Sequence, residues 1–94
     1  MDIPSTVNVA GVHYRVQEQS FIEIGGNRNY QGVCDYANTE IGILADLSQE
    51  RKKQTFIHEL THAIFYEAGF EDQDEDMINR IGKVLFQVLE DQTF

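Results

Sequence analysis

Asp46-Leu47-Ser48-Gln49-Glu50 is the point at which the chain changes its hydrophobic period, and that change decides the fold class. Upstream, apolar and polar residues alternate in short runs. Downstream, the apolar residues return to one side of a 3.6-residue wheel. Strands followed by helices, in blocks rather than in alternation, specify an α+β fold. Ser48 offers its hydroxyl to the orphan N–H groups of a first helical turn, and Glu50 suits the positive end of the helix dipole. A helix is therefore expected over residues 48–68.

Working back from this junction, Ile41 to Ala45 and Val33 to Ala37 read as short strands joined by a tight hairpin at Asn38-Thr39. Gly25-Gly26-Asn27-Arg28-Asn29 interrupts the alternation, and because Gly and Asn tolerate positive φ, a wide loop ending near Gly32 is expected there. Val7, Val9, Val12, Tyr14 and Val16, then Phe21, Ile22 and Ile24, are assigned to two further strands. Residues 1–47 thus form a three- or four-stranded, mostly antiparallel sheet packed against two helices.

Forward of the junction, Phe56, Ile57, Leu60, Ala63, Ile64 and Ala68 gather on one broad arc, so the first helix lies on the sheet. Gly69 ends it, and Phe70 to Gln73 connects it to the next element. Met77, Ile78, Ile81, Val84, Leu85, Val88 and Leu89 then define a closing helix over 73–92. A chain of 94 residues with 41% hydrophobic content fits one compact domain, minimal in size.

Composition narrows the function. A formal net charge of −9 with only seven Lys and Arg leaves no basic stripe for phosphates, so no nucleic-acid partner is expected. No stretch approaches the roughly 20 apolar residues that span a bilayer, and Met1-Asp2-Ile3-Pro4-Ser5 lacks the basic segment and apolar run of a secretory signal. A cytoplasmic protein with no membrane partner is the expectation. Cys34 is the only cysteine, which excludes an internal disulfide and reads as a small buried hydrophobe.

The chemistry lies in the first helix, at His58-Glu59-Leu60-Thr61-His62. Residues four apart are about 40° apart around a helix axis, so both imidazoles reach one metal ion. Glu59 is turned about 100° from His58, near enough to touch a water at that metal yet badly placed to be a ligand of the same kind. One turn therefore carries two ligands and a base. Phe65 and Tyr66, one turn further on, are placed to wall a cleft.

A catalytic zinc site takes three protein ligands, and since the only other histidine is the distant His13, a carboxylate is expected as the third. Glu67 is excluded because it sits about 180° from His58 on the wheel. Glu75 shares the inward face of the closing helix with Ile78, Gly82 and Leu85. The six residues from Gly69 to Asp74 extend on the order of 20 Å, enough to return to the metal's level. Glu71, Asp72, Asp74 and Asp76 stand beside it as alternatives. Asp72-Gln73-Asp74-Glu75 also has the spacing of a capping box, in which Asp72 caps the helix and Glu75 reaches back to it.

With one Zn²⁺ ion held this way, Glu59 takes a proton from the attacking water and returns it to a leaving amine, which makes amide hydrolysis the matching reaction. Tyr66, Tyr36 and His13 are the candidate donors to the oxyanion.

Gly11-Val12-His13-Tyr14-Arg15-Val16, Ile41-Gly42-Ile43, the run from Ser48 to Thr55 leading into His58-Glu59-Leu60-Thr61-His62, and Asp74-Glu75-Asp76-Met77-Ile78-Asn79-Arg80-Ile81 together resemble the small zincin-type metallopeptidases of phages and prophages. These are relatives of the ImmA/IrrE-like group and, more loosely, of the SprT-like group. The resemblance implies a gluzincin-like centre with His58, His62 and Glu75 on zinc, Glu59 as general acid/base, and a peptide or protein substrate.

Two other classes stay open from the residues alone. One is a non-catalytic, zinc-stabilised interaction module of phage or prophage origin. The other is an acidic mimic of nucleic acid, since half of the sixteen acidic residues fall between Glu67 and the end.

Overall fold

The computed structural model describes residues 1–91, which form β1 (Thr6–Val9), β2 (Val12–Gln19), β3 (Gly32–Asp35), β4 (Glu40–Leu44), α1 (Gln49–Glu67) and α2 (Glu75–Asp91). The fold is α+β. Its single sheet runs β1-β2-β4-β3, with β1·β2 and β3·β4 antiparallel and β2·β4 parallel.

The first apolar run is a hairpin in itself. Ala10 and Gly11 take φ of 52° and 86°, the paired positive values that a two-residue turn between twisted strands demands, and Gly11 N donates to Asn8 Oδ1. The strand expected at Phe21, Ile22 and Ile24 does not form. Gly25 and Gly26 reverse the chain so sharply that Ile24 and Asn27 satisfy each other's backbone groups, and of those three apolar residues only Ile22 is buried. The turn at Asn38-Thr39 is longer than expected, four residues from Tyr36 to Thr39. Asp35 organises it by accepting from both Asn38 N and Asn38 Nδ2.

α1 begins where its cap says it should, with Ser48 Oγ accepting from Arg51 N. Its end is a Schellman turn: Gly69 at φ 101° donates to Tyr66 O, and Phe70 donates to Phe65 O. Phe65 packs its ring 5.8 Å from that of Phe70, the apolar contact that usually accompanies this turn. α2 is capped by Asp74, whose Oδ1 accepts from Asp76 N and Met77 N. The capping box on Asp72 is therefore not used, and Glu75, in the first turn, takes no part in the cap. The helix was expected to run to residue 92; Gln92 lies outside the described residues.

α1 crosses β3, β4 and part of β1, and α2 packs on α1, with its Leu85, Phe86 and Leu89 reaching the core that α1 shares with the sheet. The core between sheet and helix holds Tyr14, Ile41, Ile43, Phe56, Ile57 and Ala63. Tyr14, completely buried, donates to Glu67 Oε2 at 2.6 Å and ties the end of α1 to β2. Because α1 is covered on two sides, its polar Thr55, Glu59 and Thr61 are buried while Ile64 and Ala68, assigned to the apolar arc, are exposed. α2 lies close against α1 at Gly82, where a Cβ would be in ordinary contact with Thr61 Oγ1 at 3.4 Å and His58 Cα at 3.9 Å. None of the described helices is long and apolar enough to cross a membrane.

Cys34, half-buried on β3, has its thiol pushed up from its ordinary 9.0 to about 12 by burial and by the nearby charges of Glu59, Asp35 and Glu67. Only the thiolate attacks alkylating agents. At pH 8 the native protein should therefore react with iodoacetamide about a thousandfold more slowly than the unfolded chain, and equal rates would contradict this burial. Since the folded value lies above the unfolded one, this thiol's share of stability is complete below pH 9.0 and is lost as the pH rises toward 12.

Candidate metal centre

One turn of α1 presents His58 and His62 with ring centroids 4.9 Å apart and planes at 79°, both directed at the first turn of α2. Glu75 meets them there. Its Oε1 lies 3.1 Å from His58 Nε2 and its Oε2 lies 3.4 Å from His62 Nε2. One atom from each of the three residues falls within 4.8 Å of the others. N and O donors held at about 2.0–2.1 Å around tetrahedral zinc are about 3.3 Å apart, so the three side chains are near enough to one another to hold one such ion.

The tautomer of His62 is fixed by a residue that the sequence did not single out. Gln73 Nε2 faces the backbone oxygen of His62 at 3.3 Å and the hydroxyl of Tyr36 at 3.1 Å. A carbonyl oxygen only accepts, so the amide nitrogen must lie on that side and Gln73 Oε1 must face His62 Nδ1, which it does at 2.6 Å. Nδ1 therefore donates, which leaves Nε2, directed at Glu75, as the ring nitrogen available to a metal. At His58, burial and then the neighbouring His62 push the imidazole's pKa below its ordinary value, against the raising effect of Glu75.

Outer partners of this kind typically contribute 10–100-fold to metal affinity. Gln73→Ala should weaken zinc binding by about that factor in competition with a chromophoric chelator, with the fold retained. Unchanged affinity would mean that the contact does not orient the ring.

Glu59 is buried beneath β3, and Gly32 covers it. A Cβ at Gly32 would lie 2.5 Å from Thr55 Cγ2 and 3.1 Å from Glu59 Oε2, so any side chain at this position displaces the carboxylate or its neighbour. Burial pushes the Glu59 carboxyl up to about 7, against the lowering effect of His62. Glu59 and His58 open onto the same cleft.

The other residues singled out from the sequence have separate fates. Tyr36 stacks face to face on Tyr66, with centroids 4.1 Å apart, and joins the centre through Gln73. His13 is exposed on β2 opposite Asn8 and takes no part. Phe65 serves the end of α1. Of the alternative acids, Asp74 caps α2, Asp76 pairs with Arg80 at 3.7 Å, and Glu71 and Asp72 are exposed outside the group. Glu67, excluded on the wheel, is held by Tyr14. No family model, curated protein or solved structure matches the chain, so the reading of this centre rests on its own geometry.

Proposed function

We propose that the protein is a zinc-dependent peptidase of the small phage and prophage type, with His58, His62 and Glu75 as zinc ligands and Glu59 as general acid/base. The observation that carries this reading is the convergence of two imidazole nitrogens on Glu75, with Gln73 setting the tautomer of one of them. Zinc bound by three protein groups supplies Lewis acidity toward a carbonyl oxygen and acidifies water at neutral pH.

This chain's own residues do the remainder. Glu59 accepts the proton of the attacking water and delivers it to the departing amine nitrogen, completing hydrolysis of one amide bond. Tyr36, whose hydroxyl already accepts from Gln73 and whose own proton burial helps to retain, is the donor for the oxyanion.

The decisive experiment loads the protein with zinc, measures the metal by mass spectrometry, and incubates it with a degenerate peptide pool while following new N-termini. One zinc per chain and cleavage that stops with 1,10-phenanthroline and returns with zinc support the reading. Stoichiometric zinc without cleavage at any pH makes the chain a metal-organised interaction module, and absence of tight zinc binding removes both. A nucleic-acid mimic is the weaker alternative, because the acids from Glu67 onward do not share one face. Glu67 holds Tyr14, Asp74 caps α2, Glu75 faces the histidines, and Glu90 pairs with the N-terminus and Lys53.

A further inference from the structure

A cleft of about 620 Å³ leads away from His58 and Glu59 between α1, α2 and the segment entering β3. Arg51, Thr55 and His58 form its α1 wall, at the spacing that keeps residues on one helical stripe. Asn79, Gly82 and Lys83 stand opposite on α2.

Charge sets this cleft apart. Five of the protein's seven cations are paired with carboxylates: Arg15 with Glu40, Arg28 with Glu23, Lys52 with Glu18, Lys53 with Glu90, and Arg80 with Asp76. The remaining two, Arg51 and Lys83, have no carboxylate partner among the described residues, and both line this cleft. Arg51 is held only by an amide, Nη1 donating to Gln54 Oε1 at 2.8 Å. Acids outnumber cations by sixteen to seven in the chain, yet among the described residues the only acid lining the cleft is Glu59. A cationic trough in an otherwise anionic surface concentrates the field on whatever enters it, and the positive N-terminal end of α1 adds to it.

We propose that this cleft is the binding subsite for an acidic residue of the peptide substrate, an Asp or Glu whose carboxylate is held by Arg51 and Lys83. The inference rests on the peptidase reading of the metal centre and adds its specificity. Arg51 precedes His58 by seven residues, a rise of about 10 Å, and Lys83 adjoins Gly82, which packs against His58. An extended peptide advances about 3.3 Å per residue, so the acidic residue lies within about three positions of the bond that is cut, on one side of it.

The test uses two pools of degenerate nonapeptides bearing a charge-neutral fluorophore, one containing Asp and Glu and the other with Asn and Gln in their place. Zinc-loaded protein should cut the acidic pool at least about tenfold faster, the effect of one charge-assisted hydrogen bond. Product sequences should show Asp or Glu enriched within three positions on one side. The Arg51→Gln/Lys83→Gln double variant, altered at two exposed positions, should bring the ratio of the two rates close to one. A ratio near one in the unaltered protein, or a preference that survives the double variant, overturns the proposal.

If neither pool is cut, the peptidase reading fails, and binding of the same pools to zinc-loaded Glu59→Gln is measured by fluorescence anisotropy. At least about tenfold tighter binding of the acidic pool, abolished by adding Arg51→Gln and Lys83→Gln, supports the acidic subsite without the hydrolysis. Equal binding of the two pools overturns the subsite as well.

Discussion

Glu59→Gln is expected to lower kcat by about 10²–10⁴-fold, the usual contribution of a positioned proton carrier, while zinc content stays at one ion per chain. The amide has the shape of the carboxylate it replaces, so the space beneath Gly32 is filled as before, and the residue stands outside the group formed by His58, His62 and Glu75. What is lost is the ability to take a proton. Turnover on a peptide cut by the unaltered protein, measured together with zinc by mass spectrometry, gives both numbers on one sample. Undiminished turnover would remove Glu59 from the chemistry, and loss of zinc would make it part of the metal site.

Glu75→Ala should weaken zinc binding by more than about 100-fold, beyond the 10–100-fold range typical of residues that only orient a ligand. The stability of the metal-free protein should change little, because the side chain is largely exposed and the cap of α2 belongs to its neighbour. Asp74→Ala is the counterpart: loss of the cap should cost about 1 kcal/mol of stability, with a smaller effect on zinc. Chelator competition and thermal unfolding separate the two roles. If Glu75→Ala lowers stability and leaves zinc affinity unchanged, the carboxylate belongs to the helix and not to the metal.

What could be read from the residues was what depends on neighbours in sequence. Ser48 and Gly69 bound α1 because caps act within one turn, and the spacing of His58 and His62 sets their common face for the same reason. Glu75 faces His58 and His62 from the helical register it shares with the buried Ile78 and Gly82, although its own side chain stays exposed.

What escaped depends on contacts across the fold. The parallel pairing of β2 with β4 has no local signal, and the two-sided burial of α1 follows from where α2 lands. Gln73 looked like connecting chain because its value lies in three partners, His62 Nδ1, His62 O and Tyr36 OH, of which the nearest is eleven residues away. Gly32 read as the end of a loop, whereas its lack of a side chain is what lets Glu59 lie beneath the sheet edge.

The sheet consists of two hairpins joined along one parallel seam, from Arg15 beside Glu40 to Gln19 beside Leu44. Each hairpin closes over a few residues and is expected to form in microseconds, whereas the seam must bring together strands 25 residues apart and carries the larger loop-closure entropy. Folding should accordingly be limited by joining the hairpins under α1. Until that step is complete the second hairpin, with Gly32 at its edge, has no fixed place, so the enclosure of Glu59 belongs to the late part of folding.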